Sequence, residues 1–147
     1  MASEQLVVFQ LGNEEYAISI ARVKEIIRYD GATKLPNTPA HQEGVINLRG
    51  KVIPVVDLAK CFGMTRKKTD DVQAVIVEAA GREIGVIVDI VSEVLRIDDS
   101  AVEPAQTVHN AGDFLRGIGK LDGRLLIILD LDRLFSEQEH TLMATAG

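Results

Sequence analysis

The sequence predicts an all-β protein with short helices, built as two small barrels around a shared hydrophobic core. Three observations carry that prediction. First, hydrophobic residues make up 46% of the chain, but aromatics only 4%, and tryptophan is absent. A core of Val, Ile and Leu favours strands, because branching at Cβ stiffens χ1 and packs well on a pleated surface. Second, one segment recurs within the chain. Third, each copy breaks into about five short apolar runs bounded by turn residues, the pattern of a small barrel.

The recurrence is clearest between Gly50–Phe62 (GKVIPVVDLAKCF) and Gly123–Phe135 (GRLLIILDLDRLF). At a constant offset of 73 residues the glycine, Asp57/Asp130, Leu58/Leu131 and the closing phenylalanine coincide. Lys51/Arg124 and Lys60/Arg133 keep a basic residue, and Pro54 against Ile127 is the chief mismatch. A second alignment, offset by 68, lays Glu15–Ile27 over Glu83–Leu95, with Glu15/Glu83, Val23/Val91 and Glu25/Glu93 identical. The two offsets differ by five residues, which places an insertion between Leu95 and Gly117, in the loop-like run SAVEPAQTVHNAG. Residues 1–147 are therefore expected to form a single domain of two copies, about 5–68 and 72–138.

In the first copy Leu6–Leu11 is a strand, Gly12-Asn13 a turn, and Glu15–Ile20 a returning strand. Ala21–Ile27 carries Val23, Ile26 and Ile27 at helical spacing, which predicts a turn or two of helix. Residues 44–48 and 51–56 form a hairpin, in which Pro54 points to an edge or a bulge. Asp57–Phe62 reads as a short helix with Asp57 as its N-cap, and Asp130 repeats that cap in the second copy. There the hairpin turn is Asp122-Gly123, a favoured pair because both central residues must take φ > 0. Ser136-Glu137-Gln138-Glu139 has capping-box spacing and predicts a C-terminal helix over about 136–145.

Charge and composition exclude several functions. The net charge is −6, from 22 acidic and 16 basic residues, whereas a nucleic-acid binder carries a basic surplus on at least one face. The one dense basic run, Arg66-Lys67-Lys68, is followed by Asp70 and Asp71 and reads as a solvated loop. Cys61 is the sole cysteine, so no intramolecular disulfide forms; it is expected as a buried thiol in a reducing compartment. The start, MASEQLVVFQL, lacks the basic region of a signal peptide, and aliphatic runs such as Leu125–Leu129 are too short to span a bilayer. The expectation is a soluble, cytoplasmic protein without direct membrane insertion.

The stretch EGVINLRGKVIPVVDL, residues 43–58, is where an enzyme reading would have to begin. A phosphate- or nucleotide-binding enzyme using the 44–51 loop is the alternative function. Against it, five residues rather than four separate Gly44 from Gly50, and Val52 stands where Ser or Thr would hold the metal. Pro54 would break the helix whose N-terminus must face the phosphates. Gly117, Gly119 and Gly123 have the wrong spacing for a dinucleotide fingerprint. His41, His109 and His140 are scattered, with no partner at ligand spacing. No catalytic, metal or cofactor-binding residue is assigned, and no cofactor is expected. Arg49 remains, since arginine has no preference for such a turn. It is either a solvated cation at a loop tip or a pre-positioned guanidinium that forks onto a partner's carboxylate or carbonyl.

The fifteen-residue run Gly44-Val-Ile-Asn-Leu-Arg-Gly-Lys-Val-Ile-Pro-Val-Val-Asp-Leu58 resembles the signature of the CheW-like domain family. Leu35-Pro36-Asn37, Gly85-Val-Ile-Val-Asp89 with Val91 and Val94-Leu95, and Gly117-Ile-Gly119 support it in the right order, over roughly residues 5–138. The resemblance implies two five-stranded SH3-like barrels around a common core, and an adaptor without catalytic activity, in chemotaxis or in another signalling pathway. It implies two partners: the histidine kinase CheA, whose regulatory domain is itself CheW-like, and the cytoplasmic tips of methyl-accepting chemoreceptors. Receptor helices would dock in the groove between the barrels, and the protein would be recruited to membrane receptor arrays. Carried over by motif, Asn47, Leu48, Arg49, Gly50, Val91 and Val94 are expected to face the receptor. Val23, Glu25 and Ile26 are expected to face the kinase. Val23 and Ile26 stand equally as core residues, and for Val91 and Val94 the core is the stronger competing role. The run Pro104–Asn110 departs from the family pattern, and no contact is assigned there.

Overall fold

The structure, a computed structural model, describes residues 2–37, 42–64, 72–104 and 114–135. The chain opens with a hairpin of β1 (Ser3–Leu11) and β2 (Glu14–Ser19), in register from Leu6 opposite Ser19 to Leu11 opposite Glu14. A 3₁₀ turn at Ile20–Arg22, capped by Ser19 Oγ accepting from Ala21 N at 3.3 Å, then carries the chain into a second sheet. That sheet is formed by β3 (Val23–Arg28), β4 (Gln42–Leu48), β5 (Lys51–Asp57), β6 (Gln73–Ala79) and β7 (Arg82–Val88), in the order β3-β6-β7-β5-β4. At Asp89 the chain crosses back. Strands β8 (Ile90–Asp98), β9 (Val102–Pro104), β10 (Leu115–Leu121) and β11 (Arg124–Leu129) join the first hairpin in the order β8-β1-β2-β11-β10-β9.

One sheet is thus a single contiguous stretch of chain, and the other unites the first hairpin with the last four strands. The copies are interleaved. Strand β1 pairs antiparallel with β8 and β2 pairs parallel with β11; the equivalent strands β6 and β7 pair in the same senses with β3 and β5. Each hairpin therefore completes the sheet made mainly by the other copy.

Two elements differ from expectation. The helix expected at 21–27 is the 3₁₀ turn plus strand β3, on which Val23, Glu25 and Ile27 are half-buried while Lys24, Ile26 and Arg28 are exposed. The helical spacing of three apolar residues yields there to pairing with β6, because β-branched residues gain more from a pleated neighbour than from an isolated helical turn. Part of the run expected as loop, Val102–Pro104, is strand β9; its counterpart in the first copy is the isolated bridge between Thr33 and Val45. With β9 one sheet has six strands, and among the described residues no ladder joins the outer strands of either sheet. The sheets are nevertheless strongly curved: a Cβ on Gly119 of β10 would lie 2.9 Å from Ile97 Cδ1 on β8. The helix expected at 136–145 lies outside the described residues, as do the three histidines and Arg66-Lys67-Lys68; residues 131–135 are helical.

The core has three parts. Strand β1 is buried on both faces, because alternate side chains point to opposite sides of a strand. Leu6 and Val8 join Ala17, Ile97, Leu126 and Ile128 inside the six-stranded sheet. Val7 and Phe9 enter a larger cluster between the sheets, with Tyr16, Ile18, Val75, Val77, Ile84 and Val86. Val55, Val72 and Ile87 form the interior of the other sheet. The short helix α1 (Leu58–Cys61) and the helix at 131–135 close the ends of the shared cluster through Leu58, Leu134 and Phe135. Burying each such side chain stabilises the fold by about 1.5–3 kcal/mol, so the shared cluster is what joins the two sheets.

Candidate protein-docking site

The β4–β5 hairpin turns at Arg49 and Gly50, with φ of 53° and 85°. Positive φ at both central positions is the turn that matches the twist of a hairpin. Arginine takes that conformation with strain of about 1–3 kcal/mol. Asn47 steadies the turn, its Oδ1 accepting from Gly50 N at 2.9 Å. The guanidinium of Arg49 donates to Glu25 on β3, so the residue expected at a receptor contact and one expected at a kinase contact form an ion pair. The turn lies beside β4 and Glu25 lies on β3, the two outer strands of the same sheet, so the pair spans the mouth of its curve. Arg49 remains 71% exposed against 27% for Glu25. An ion pair this open to water contributes less than about 1 kcal/mol and yields readily to a better carboxylate.

The remaining expected site residues divide into two places. Val23 is half-buried against the shared core, Leu48 is half-buried, and Ile26 is exposed. Val91 packs on the shared core and donates its N–H to Gln73 Oε1 at 2.8 Å. Val94, for which the core was the stronger reading, is 50% exposed on β8, an outer strand with no neighbour on its far side among the described residues. Val91 lines a cavity of about 320 Å³ where the chain crosses between the sheets, together with Arg28, Val72, Gln73 and Ile90.

A larger cleft of about 620 Å³ opens between β5 and β7, lined by Lys51, Val52, Pro54, Arg82 and Glu83 among others. It exists because the parallel ladder covers only Val55–Asp57 opposite Gly85–Ile87. Pro54 was expected at an edge or bulge, yet β5 lies inside its sheet. It is tolerated because the ladder to β7 starts one residue later. On the other side its partner Val45 gives both backbone groups to Thr33, at 2.8 and 2.9 Å. The missing N–H therefore costs no ladder bond.

The expected helix caps are in place. Asp57 accepts from Ala59 N at 3.1 Å and Lys60 N at 3.4 Å, and Asp130 accepts from Arg133 N at 3.1 Å. The sequence reading missed a repeated surface feature: Val52 and Leu125, 72% and 62% exposed, occupy equivalent positions of the two copies, as do the exposed Ile26 and Val94. The offsets of 73 and 68 were the signal that would have paired them. It also missed two carboxylates that hold hairpin turns. Asp89 Oδ2 accepts from Gly12 N at 3.0 Å, and Asp132 accepts from Ala80 N at 3.0 Å while pairing with Arg22 at 2.6 Å.

Titration is perturbed at a few groups. The hydrogen bond from Arg124 holds the Glu15 carboxyl below its ordinary range, and burial pushes the Tyr16 hydroxyl up. Among the described residues no group of His, Cys, Asp and Glu is placed to hold a metal ion. No helix among them is long and apolar enough to cross a membrane. Gly50 is followed by a strand rather than a helix, so the turn lacks the ring of N–H groups that a helix start offers a phosphate. Chemically, the described surface offers exposed aliphatic side chains, Ile26, Val52, Ile90, Val94 and Leu125, and paired surface charges.

The family model of the CheW-like domain matches residues 5–139. The chain belongs to that family. The chemotaxis protein CheW of Klebsiella aerogenes is 40% identical over 143 residues, covering 95% of this chain and 86% of that protein. The chemotaxis protein CheW of Bacillus subtilis is 34% identical over 138 residues, covering 92% and 88%. Among solved structures, the scaffolding protein TtCheW from Thermoanaerobacter tengcongensis superposes with a TM-score of 0.84 at 44% identity, covering 91% of this chain and 93% of that one. The family match and the two-sheet architecture agree with the fold expected from the motif.

Proposed function

We propose that this protein is a chemotaxis scaffold that couples the cytoplasmic tips of methyl-accepting chemoreceptors to the histidine kinase CheA through protein contacts, without catalysis of its own. The family match over residues 5–139 carries the reading. The geometry supports it: the exposed features are aliphatic side chains, a strained turn and loosely held ion pairs. In this reading Val91, with Asn47, Leu48, Arg49, Gly50 and Val94, serves receptor contact, and Val23, Glu25 and Ile26 serve kinase contact. The Arg49–Glu25 pair makes the two sets adjacent, so docking at one edge alters the charge presented at the other. The protein works in the cytoplasm, recruited to receptor arrays at the membrane.

Isothermal titration of the protein with the CheA regulatory domain, and with a receptor-tip hairpin, tests the reading. Affinity of about ten micromolar or tighter for both is expected. An absence of heat with both partners at ten times that concentration would overturn it.

A further inference from the structure

The two sheets meet in the cavity lined by Arg28, Val72, Gln73, Ile90 and Val91. Arg28 and Gln73 are direct cross-strand partners on β3 and β6, so their side chains share a face. They are committed differently. The Gln73 carbonyl is used on Val91 N, which ties the start of β8 to β6 and fixes the floor of the cavity. Arg28 is nearly unspent: Asp30 lies 3.6 Å from its Nε, and the two side chains are 74% and 82% exposed. Beside it Ile90 is 45% exposed, an aliphatic residue held at the rim rather than in the core. A weakly held guanidinium next to an exposed isoleucine and a half-buried valine complements a helix with aliphatic residues one turn from a carboxylate, since positions three or four apart lie on one face.

We infer that Arg28 is the specificity-determining cation of the groove between the sheets, exchanging Asp30 for an aspartate or glutamate on a docked receptor helix whose aliphatic neighbours rest on Ile90 and Val91. The inference rests on the reading that receptor helices enter this groove. Arg28 reads the partner's charge, and Gln73 positions the floor that the aliphatic residues meet. Asp30 holds the guanidinium near its working position without burying it.

The test is fluorescence anisotropy with a labelled receptor-tip helical hairpin, with titration of the CheA regulatory domain as a parallel measurement. Arg28→Glu should weaken tip binding about tenfold or more, because it sets like charges together, and leave kinase binding unchanged. Arg28→Lys should retain part of the affinity, keeping the charge but losing the fork. Reversing each acidic residue of the tip to arginine in turn should yield one variant that restores binding to Arg28→Glu. If Arg28→Glu binds within about twofold of wild type, or if no reversal restores it, the assignment is wrong. If the wild-type chain binds the kinase but not the tip, the groove reading itself falls, and the assignment with it.

Discussion

The hairpin turns at Arg49-Gly50 and Asp122-Gly123 share a backbone and differ in what their side chains reach. All four residues have positive φ, with 53° at Arg49 and 50° at Asp122. Beside each turn stands an equivalent glutamate, Glu25 on β3 or Glu93 on β8, and each glutamate has a cation. In the first copy that cation is Arg49, at the tip of the turn itself. In the second it is Arg124, the first residue of β11 after the turn, which also holds Glu15 at 2.8 Å and is 34% exposed. The Glu15 position of the first pairing recurs as Glu83, held by Lys51 at 3.2 Å. Aspartate meets the backbone demand of this turn with less strain than arginine. The difference teaches that Arg49 does not serve the turn's backbone: its guanidinium crosses to Glu25 and stays 71% exposed.

Several substitutions would break or sharpen that comparison. The largest effect is expected at the bulges that start the two hairpins. Gly44 has φ of 140°, and a Cβ there would sit 2.1 Å from Thr33 O; the equivalent Gly117 lacks the positive φ and would meet Glu103 O at 2.6 Å. Gly44→Ala should cost about 3 kcal/mol or more in urea unfolding, and Gly117→Ala about 1–3 kcal/mol. Equal losses would show that the positive φ at Gly44 adds no cost of its own. Next come the helix caps: Asp57→Ala is expected to cost about 2 kcal/mol, and Asp130→Ala about 1 kcal/mol, because Asp57 is fully buried. The reverse order would remove burial as the reason.

Smaller still is the effect of giving the first turn the residue of the second. Arg49→Asp should change stability by less than about 1 kcal/mol, while setting two carboxylates together and weakening receptor-tip binding. A collapse in thermal stability would show that the arginine is structural. The smallest expected effect is electrostatic. Folding lowers the Glu15 pKa, so this stabilisation is present above the ordinary glutamate value of 4.5 and is lost as pH falls through the lower folded value. Arg124→Ala should therefore cost less than about 1 kcal/mol at neutral pH, and that difference should vanish in acid. A stability gap that stays constant down to strongly acidic pH would point to lost packing instead.

Much of the fold was legible because it is written in local demands. The hairpin turns, the two N-cap aspartates and the duplicated Gly50–Phe62 segment each follow from what a few adjacent residues require of their own backbone. Strand β3 was misread because Val23, Ile26 and Ile27 satisfy helical spacing, and the preference is reversed by β6, some fifty residues away. Pro54 was misread for a similar reason: its acceptability depends on where β7 begins to pair and on Thr33 engaging Val45. Of the candidate site, Arg49 lay in the fifteen-residue run and Val91 in a supporting match, while Glu25 was named as a site residue only through the resemblance; the surroundings of all three were hidden. Neither the ion pair across the sheet nor the Gln73 bond to Val91 joins residues near in sequence.

The amino-acid order by itself determined the repeat, the turn chemistry, the caps and the kinship to a family, since these reside in short runs of residues. Only the tertiary structure decided which hairpin completes which sheet, that Val94 stays half exposed on an outer strand, and that Arg28, Ile90 and Val91 share one cavity. Strand pairing and sheet curvature bring together side chains from distant parts of the chain, and a residue's exposure is a property of that assembly rather than of its neighbours in sequence.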